Sequence, residues 1–68
     1  MQNIEITTDF IKLDSFLKLS GDFSSGAEAK FYILDGNVYV NGEKELRRGR
    51  KLYKGDTVKT EFGEYNVC

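Results

Sequence analysis

Leu13-Asp14-Ser15-Phe16-Leu17-Lys18-Leu19-Ser20-Gly21, followed by Ser25-Gly26-Ala27-Glu28-Ala29-Lys30-Phe31-Tyr32-Ile33, is the stretch from which the fold is read. Leu13, Phe16 and Leu17 recur at i, i+3 and i+4, which is one face of a helix. Gly21 follows as the residue that closes a helix in the left-handed conformation. The spacing predicts a short helix over about Leu13–Ser20. Ser25 with Glu28 three residues on is a capping box, in which each side chain satisfies a free N–H of the first turn. A second helix is predicted from there to about Asp35, stopped by Gly36. Ala29 with Ile33, or Ala29 with Tyr32, is expected to face the first helix, the small Ala allowing close approach.

On either side of this helix pair the pattern is that of strands. Ile4-Glu5-Ile6 alternates, and Thr7-Thr8 adds β propensity, so a short first strand is expected. Beyond Gly36, Val38-Tyr39-Val40 reads as a strand, and Asn41-Gly42 is a strong hairpin signal because both turn positions require positive φ. Glu43–Leu46 is expected to return as its partner, and residues 47–54 to be basic and irregular. Lys54-Gly55-Asp56 turns into a strand over Thr57–Thr60, and Phe62-Gly63 turns into another over Glu64–Val67. The class is α+β, a two-helix αα-hairpin packed on a small, mostly antiparallel sheet. The 68 residues are read as a single domain, 1–68. A domain of this size buries only ~60% of its unfolded surface, which leaves little room for an enclosed cleft.

Charge is segregated along the chain. Residues 1–43 carry three basic and seven acidic side chains, whereas residues 44–59 carry seven basic against two acidic. Within the second segment Arg47-Arg48-Gly49-Arg50-Lys51 places four cations in five residues. No carboxylate lies between Leu46 and Gly55 to neutralise them. Arginine presents a planar fork of donors that fits phosphate oxygens, and its charge does not titrate away. Such a cluster gains affinity by releasing the counterions condensed on a polyanion. The bland alternative is a solvated loop that aids solubility. With few apolar residues around them, these four side chains are expected to be exposed and to contribute little to folding. The start of the second helix, Ser24-Ser25-Gly26, offers hydroxyls, free N–H groups and the positive end of a helix dipole, with Lys30 one turn on. Tyr53 borders the basic loop and is the aromatic best placed to meet a base.

Catalytic constellations are missing from the sequence. It contains no His, and its single Cys, Cys68, has no second Cys to pair with. The carboxylates are scattered singly, and there is no Gly-rich phosphate loop of the Walker type. An enzyme is not expected, nor a cofactor or bound metal. The first residues carry no basic and then apolar leader, and no apolar run approaches the ~20 residues that span a bilayer. A cytoplasmic location is expected.

Lys12-Leu13-Asp14-Ser15-Phe16-Leu17-Lys18, Ser25-Gly26-Ala27-Glu28-Ala29-Lys30, Gly36-Asn37-Val38-Tyr39-Val40-Asn41-Gly42 and Tyr53-Lys54-Gly55-Asp56, in that order over about residues 10–60, resemble the S-four-type RNA-binding domain first seen in the fourth protein of the small ribosomal subunit. The segment Arg47–Tyr53 looks closest to the stand-alone bacterial members, the YaaA/YbcJ-like proteins. The resemblance implies an αα-hairpin followed by a sheet (the αL RNA-binding motif), binding structured RNA across the helices and the basic loop. Where the family pattern begins its first motif with Arg this chain has Lys12, and where Arg follows the Ser of the second motif it has Gly26. The RNA-binding residues expected are Lys12, Ser24, Ser25, Gly26, Lys30, Arg47, Arg48, Arg50 and Lys51. The expected partner is rRNA or tRNA, with ribosome assembly as a setting and the protein acting as a monomer. The competing reading is an adaptor whose basic loop docks on an acidic protein partner.

Overall fold

Alternation in the last third of the chain builds the centre of the sheet. In β6 (Thr57–Thr60) Val58 and Thr60 turn inward, and in β7 (Gly63–Val67) Tyr65 and Val67 do the same. A computed structural model describes all of residues 1–68. In it the chain runs β1 (Gln2–Ile4), β2 (Ile11–Lys12), α1 (Leu13–Leu19), α2 (Gly26–Leu34), β3 (Tyr39–Val40), β4 (Glu43–Lys44), β5 (Lys51–Leu52), β6 and β7. Five strands form one sheet in the order β1-β7-β6-β3-β4. The β7–β6, β6–β3 and β3–β4 pairs are antiparallel, and β1 lies parallel to β7 with Ile4 opposite Val67. The α+β class and the mostly antiparallel sheet are those predicted.

One face of this sheet carries the two helices. Leu13, Phe16 and Leu17 of α1 and Ala29 and Ile33 of α2 are fully buried with Val38, Val40, Val58 and Val67. Of the two faces open to α2, the structure takes Ala29 with Ile33. Tyr32 is only half-buried, packs its ring 4.9 Å from that of Phe23, and accepts a hydrogen bond from the Glu61 N–H at 3.0 Å. Both helix boundaries fall within a residue or two of those read from the sequence. Asn41 and Gly42 both have positive φ, 51° and 84°, as the predicted hairpin turn requires.

Two expectations are corrected, while the first strand runs as expected: beyond Ile4 opposite Val67 the Cys68 N–H donates to the Ile4 carbonyl at 3.0 Å and the buried Ile6 donates its N–H to the Cys68 carbonyl at 2.8 Å, which continues the parallel pairing to Ile6. The strand after Asn41-Gly42 does not reach Leu46: the Glu45 N–H still donates to the Val38 carbonyl at 2.9 Å, but the Leu46 and Arg47 N–H groups go to the carboxylate of Glu45, of which only 6% is exposed, instead of to a partner strand. Residues 47–54 are not irregular throughout. Lys51–Leu52 is β5, which pairs antiparallel with β2 as a separate two-stranded ribbon, Ile11 opposite Leu52 and Lys12 opposite Lys51. Leu52 is fully buried and anchors the ribbon to the core.

Candidate nucleic-acid interface

The β2–β5 ribbon fixes one side of the site. Successive side chains of a strand point to opposite faces, so Ile11 and Leu52 face the core while Lys12 and Lys51 face solvent, directly across from one another. Like charges in that relation are destabilising, so the ribbon carries a positive pair that its fold does not need. The loop before β5 is docked on the first turn of α1. The Leu13 N–H donates to the Arg50 carbonyl at 2.9 Å, and the Asp14 N–H to the Arg48 carbonyl at 3.1 Å. The first N–H groups of a helix have no intrahelical partner, so the basic loop caps α1 with its own backbone. Lys12, at the N-cap of α1, is thereby held beside Arg48, Arg50 and Lys51.

Glu45 organises the arginines from below. Its Oε2 accepts from the Leu46 and Arg47 N–H groups and from Arg47 Nε, at 3.1, 3.3 and 3.1 Å. Its Oε1 accepts from Arg47 Nη2 at 3.1 Å and Arg50 Nη1 at 2.8 Å. The Arg47 guanidinium, working against burial and aided by Arg50, holds the Glu45 carboxyl down at about 2 against an ordinary 4.5. Glu45 in turn raises the pKa of Arg47. The expectation that the four loop side chains are exposed and contribute little to folding is corrected at Arg50, which is half-buried, and qualified at Arg47, which is exposed but tied to Glu45. The carboxylate lies just before the basic run, and it fixes Arg47 and Arg50 in place. Arg50 is half-buried, whereas Arg47, Arg48 and Lys51 are exposed. One carboxylate shared by two guanidinium groups leaves the cluster positive. Arg47, Gly49, Arg50 and Lys51 line an open concave surface with no apolar side chain.

The start of α2 is a separate feature. Ser25 Oγ accepts from the Glu28 N–H at 3.2 Å, and Ser24 Oγ donates to Glu28 Oε2 at 2.7 Å. Both hydroxyls serve the cap, and the Glu28 carboxylate already supplies a negative charge to the helix N-terminus. Gly26 neighbours Lys18, from the last turn of α1: a Cβ built there would meet Lys18 Cδ at 3.9 Å, an ordinary contact. A side chain at position 26 is thus sterically allowed. Lys30 is half-buried, with Nζ 5.9 Å from the centroid of the Phe31 ring. The residues predicted to bind RNA therefore do not form one pocket. Lys12, Arg47, Arg48, Arg50 and Lys51 gather at the start of α1, and Ser24, Ser25 and Gly26 lie by its other end, about 10 Å away along a seven-residue helix.

Sequence reasoning missed two supports of this site. Asp56 Oδ2 accepts from the Tyr53 N–H at 2.8 Å, and the Asp56 N–H donates to the Tyr53 carbonyl at 3.0 Å. Asn41 Nδ2 in turn donates to Asp56 Oδ1 at 3.1 Å, and Asn41 Oδ1 accepts from the Thr57 N–H at 2.9 Å. The Asn-Gly turn and the Gly-Asp turn, 15 residues apart, are thus one network fixing the end of β5. Only the tendency of Asp and Asn to close turns with their side chains signals it in the sequence. The second support is Phe10, which no sequence motif singles out; its ring lies 6.1 Å from that of Tyr53.

A family profile described as the S4 domain matches residues 4–68. The chain is 48% identical over 65 residues to the "Probable ribosome maturation protein RlbA" of Bacillus subtilis (strain 168), covering 94% of this chain and 92% of that protein. It is 44% identical over 48 residues to YbcJ of Escherichia coli (strain K12), named as a candidate RNA-binding protein, covering 71% of this chain and 69% of YbcJ.

Proposed function

The chain belongs to the S4 domain family, and from that premise we propose that it is a non-catalytic module that binds structured RNA in the cytoplasm. Ribosomal RNA is the first candidate, in keeping with the ribosome maturation named for its B. subtilis relative. The observation that carries this reading is the cationic face built on α1: Lys12 opposite Lys51 on the ribbon, Arg48 free beside them, and Arg47 and Arg50 presented by Glu45. Arginines held in this way lose less conformational freedom on meeting phosphate than free ones would. The contacts are to phosphate, so they position the protein on folded RNA without reading bases. Lys30 and the Ser24–Gly26 turn serve as a second, weaker point of contact at the other end of α1.

Filter-binding titrations against ribosomal RNA fragments, tRNA and duplex DNA, each across a range of salt, test the proposal. Binding to RNA with a log–log salt slope of several units, tighter than to duplex DNA, is the expected result. No salt-sensitive RNA binding at low ionic strength overturns it.

A further inference from the structure

The register of the β2–β5 ribbon continues one pair beyond its last hydrogen-bonded residues. Ile11 faces Leu52 and Lys12 faces Lys51, which sets Phe10 across from Tyr53. Phe10 and Tyr53 therefore share the solvent face with Lys12 and Lys51, two residues along the strands, about 6.6 Å at ~3.3 Å per residue. The two rings lie 6.1 Å apart at 49°, and Lys51 Nζ sits 4.8 Å from the Phe10 centroid. Phe10 is 37% exposed and Tyr53 50%. Burial does not account for placing two aromatic rings here. Tyr53 is moreover held at both backbone groups by Asp56, so its ring is presented from a fixed base.

From this arrangement we propose that Tyr53, braced by Phe10, is a stacking surface for one unpaired base whose flanking phosphates are held by Lys12 and Lys51. The proposal rests on the RNA-binding reading above and specifies its ligand: a folded RNA carrying an unpaired nucleotide beside a helical segment, rather than an uninterrupted duplex. Lys51 lies against Phe10 in the free protein. A phosphate that draws its ammonium outward leaves more of the Phe10 ring open to the same base. Aromatic stacking tolerates any base, so this surface selects for an unpaired nucleotide without choosing its identity.

The test compares an RNA hairpin with a blunt end and the same hairpin carrying a short unpaired uridine extension. The wild-type protein is expected to favour the extended hairpin by roughly 5- to 150-fold, the range for stacking one base on an aromatic side chain. Tyr53→Leu, which keeps an apolar side chain on the ribbon but removes the π face, is expected to abolish that preference. Tyr53→Trp places a single tryptophan in a chain that has none, and its fluorescence is expected to be quenched by the extended hairpin and not by the blunt one. Equal binding of both hairpins by the wild type, a preference that survives Tyr53→Leu, or a tryptophan signal indifferent to the extension overturns the stacking surface while leaving RNA binding intact. Failure to bind either hairpin overturns both.

Discussion

Replacing Glu45 by Gln should destabilise the fold by an amount that depends on pH in a defined way. The carboxylate accepts hydrogen bonds from Arg47 and Arg50 and from two backbone N–H groups, and its pKa is drawn from 4.5 to about 2. A depression of that size corresponds to at most about 3–4 kcal/mol of folding stability at neutral pH. The Arg47 side chain is 74% exposed, so water and salt screen its share, and a loss of about 1–2 kcal/mol is expected. For a domain of this length that is roughly 5–15 °C in the thermal midpoint. Because the folded-state pKa is the lower one, the carboxylate's contribution is complete above about 4.5 and is lost as the pH falls through about 2. The midpoints of wild type and Glu45→Gln, followed by circular dichroism, should therefore differ most at pH 7 and converge toward pH 2. A difference at pH 7 below about 2 °C, or one that persists undiminished at pH 2, would refute the assignment of Glu45 as the anchor of the basic loop.

Arg48→Ala and Lys51→Ala should each leave stability within about ±0.5 kcal/mol while making the salt dependence of RNA binding shallower by roughly 0.7–0.9 for each phosphate no longer neutralised; unchanged slopes in titrations would remove these residues from the interface. Leu52→Ala empties a fully buried position and should cost about 2–5 kcal/mol in urea unfolding; a smaller effect would mean the ribbon is not anchored through it. Gly26→Arg puts a side chain that fits at the first residue of α2, where the gain in helix propensity is offset by the helix dipole and the nearby Lys18, so stability should stay within about ±0.5 kcal/mol while RNA binding tightens; unchanged affinity would place the start of α2 away from the RNA.

What can be read directly from the sequence is decided by local chemistry. The apolar spacing of Leu13, Phe16 and Leu17, the Ser25 cap and the Asn41-Gly42 turn each depend on residues within a few positions of one another, and each is found as expected, except that the Glu28 carboxylate takes the Ser24 hydroxyl rather than the Ser25 N–H. The ribbon is not legible, because a strand of two residues has no periodicity and its partner lies about forty positions away. Nor is the parallel pairing of β1 with β7, which no turn connects. In the site, the cluster of cations is visible as composition, but charge counting treats side chains as independent. Glu45 lies two residues before Arg47, at the margin of the run, and only the turn of the backbone after Lys44 brings its carboxylate under both guanidinium groups. The capping role of Ser25 is legible too, whereas the reach of Glu28 back to Ser24 depends on a rotamer.

The pairing of β1 with β7 has a consequence for synthesis on the ribosome. Ile4 finds its strand partner at Val67, so this strand waits for one made about sixty residues later. At about 5–20 residues per second that interval is roughly 3–12 s, during which Ile4 and Ile6 have no sheet to cover them. The helix pair and the β3–β4 hairpin close over short loops, but helices of seven and nine residues are marginal alone, and their buried faces share one core with β6 and β7. A nascent chain should therefore complete its helices and its sheet together, only after residues 63–67 have left the exit tunnel. Until then the unpaired strand edges are the segments most exposed to association with other chains.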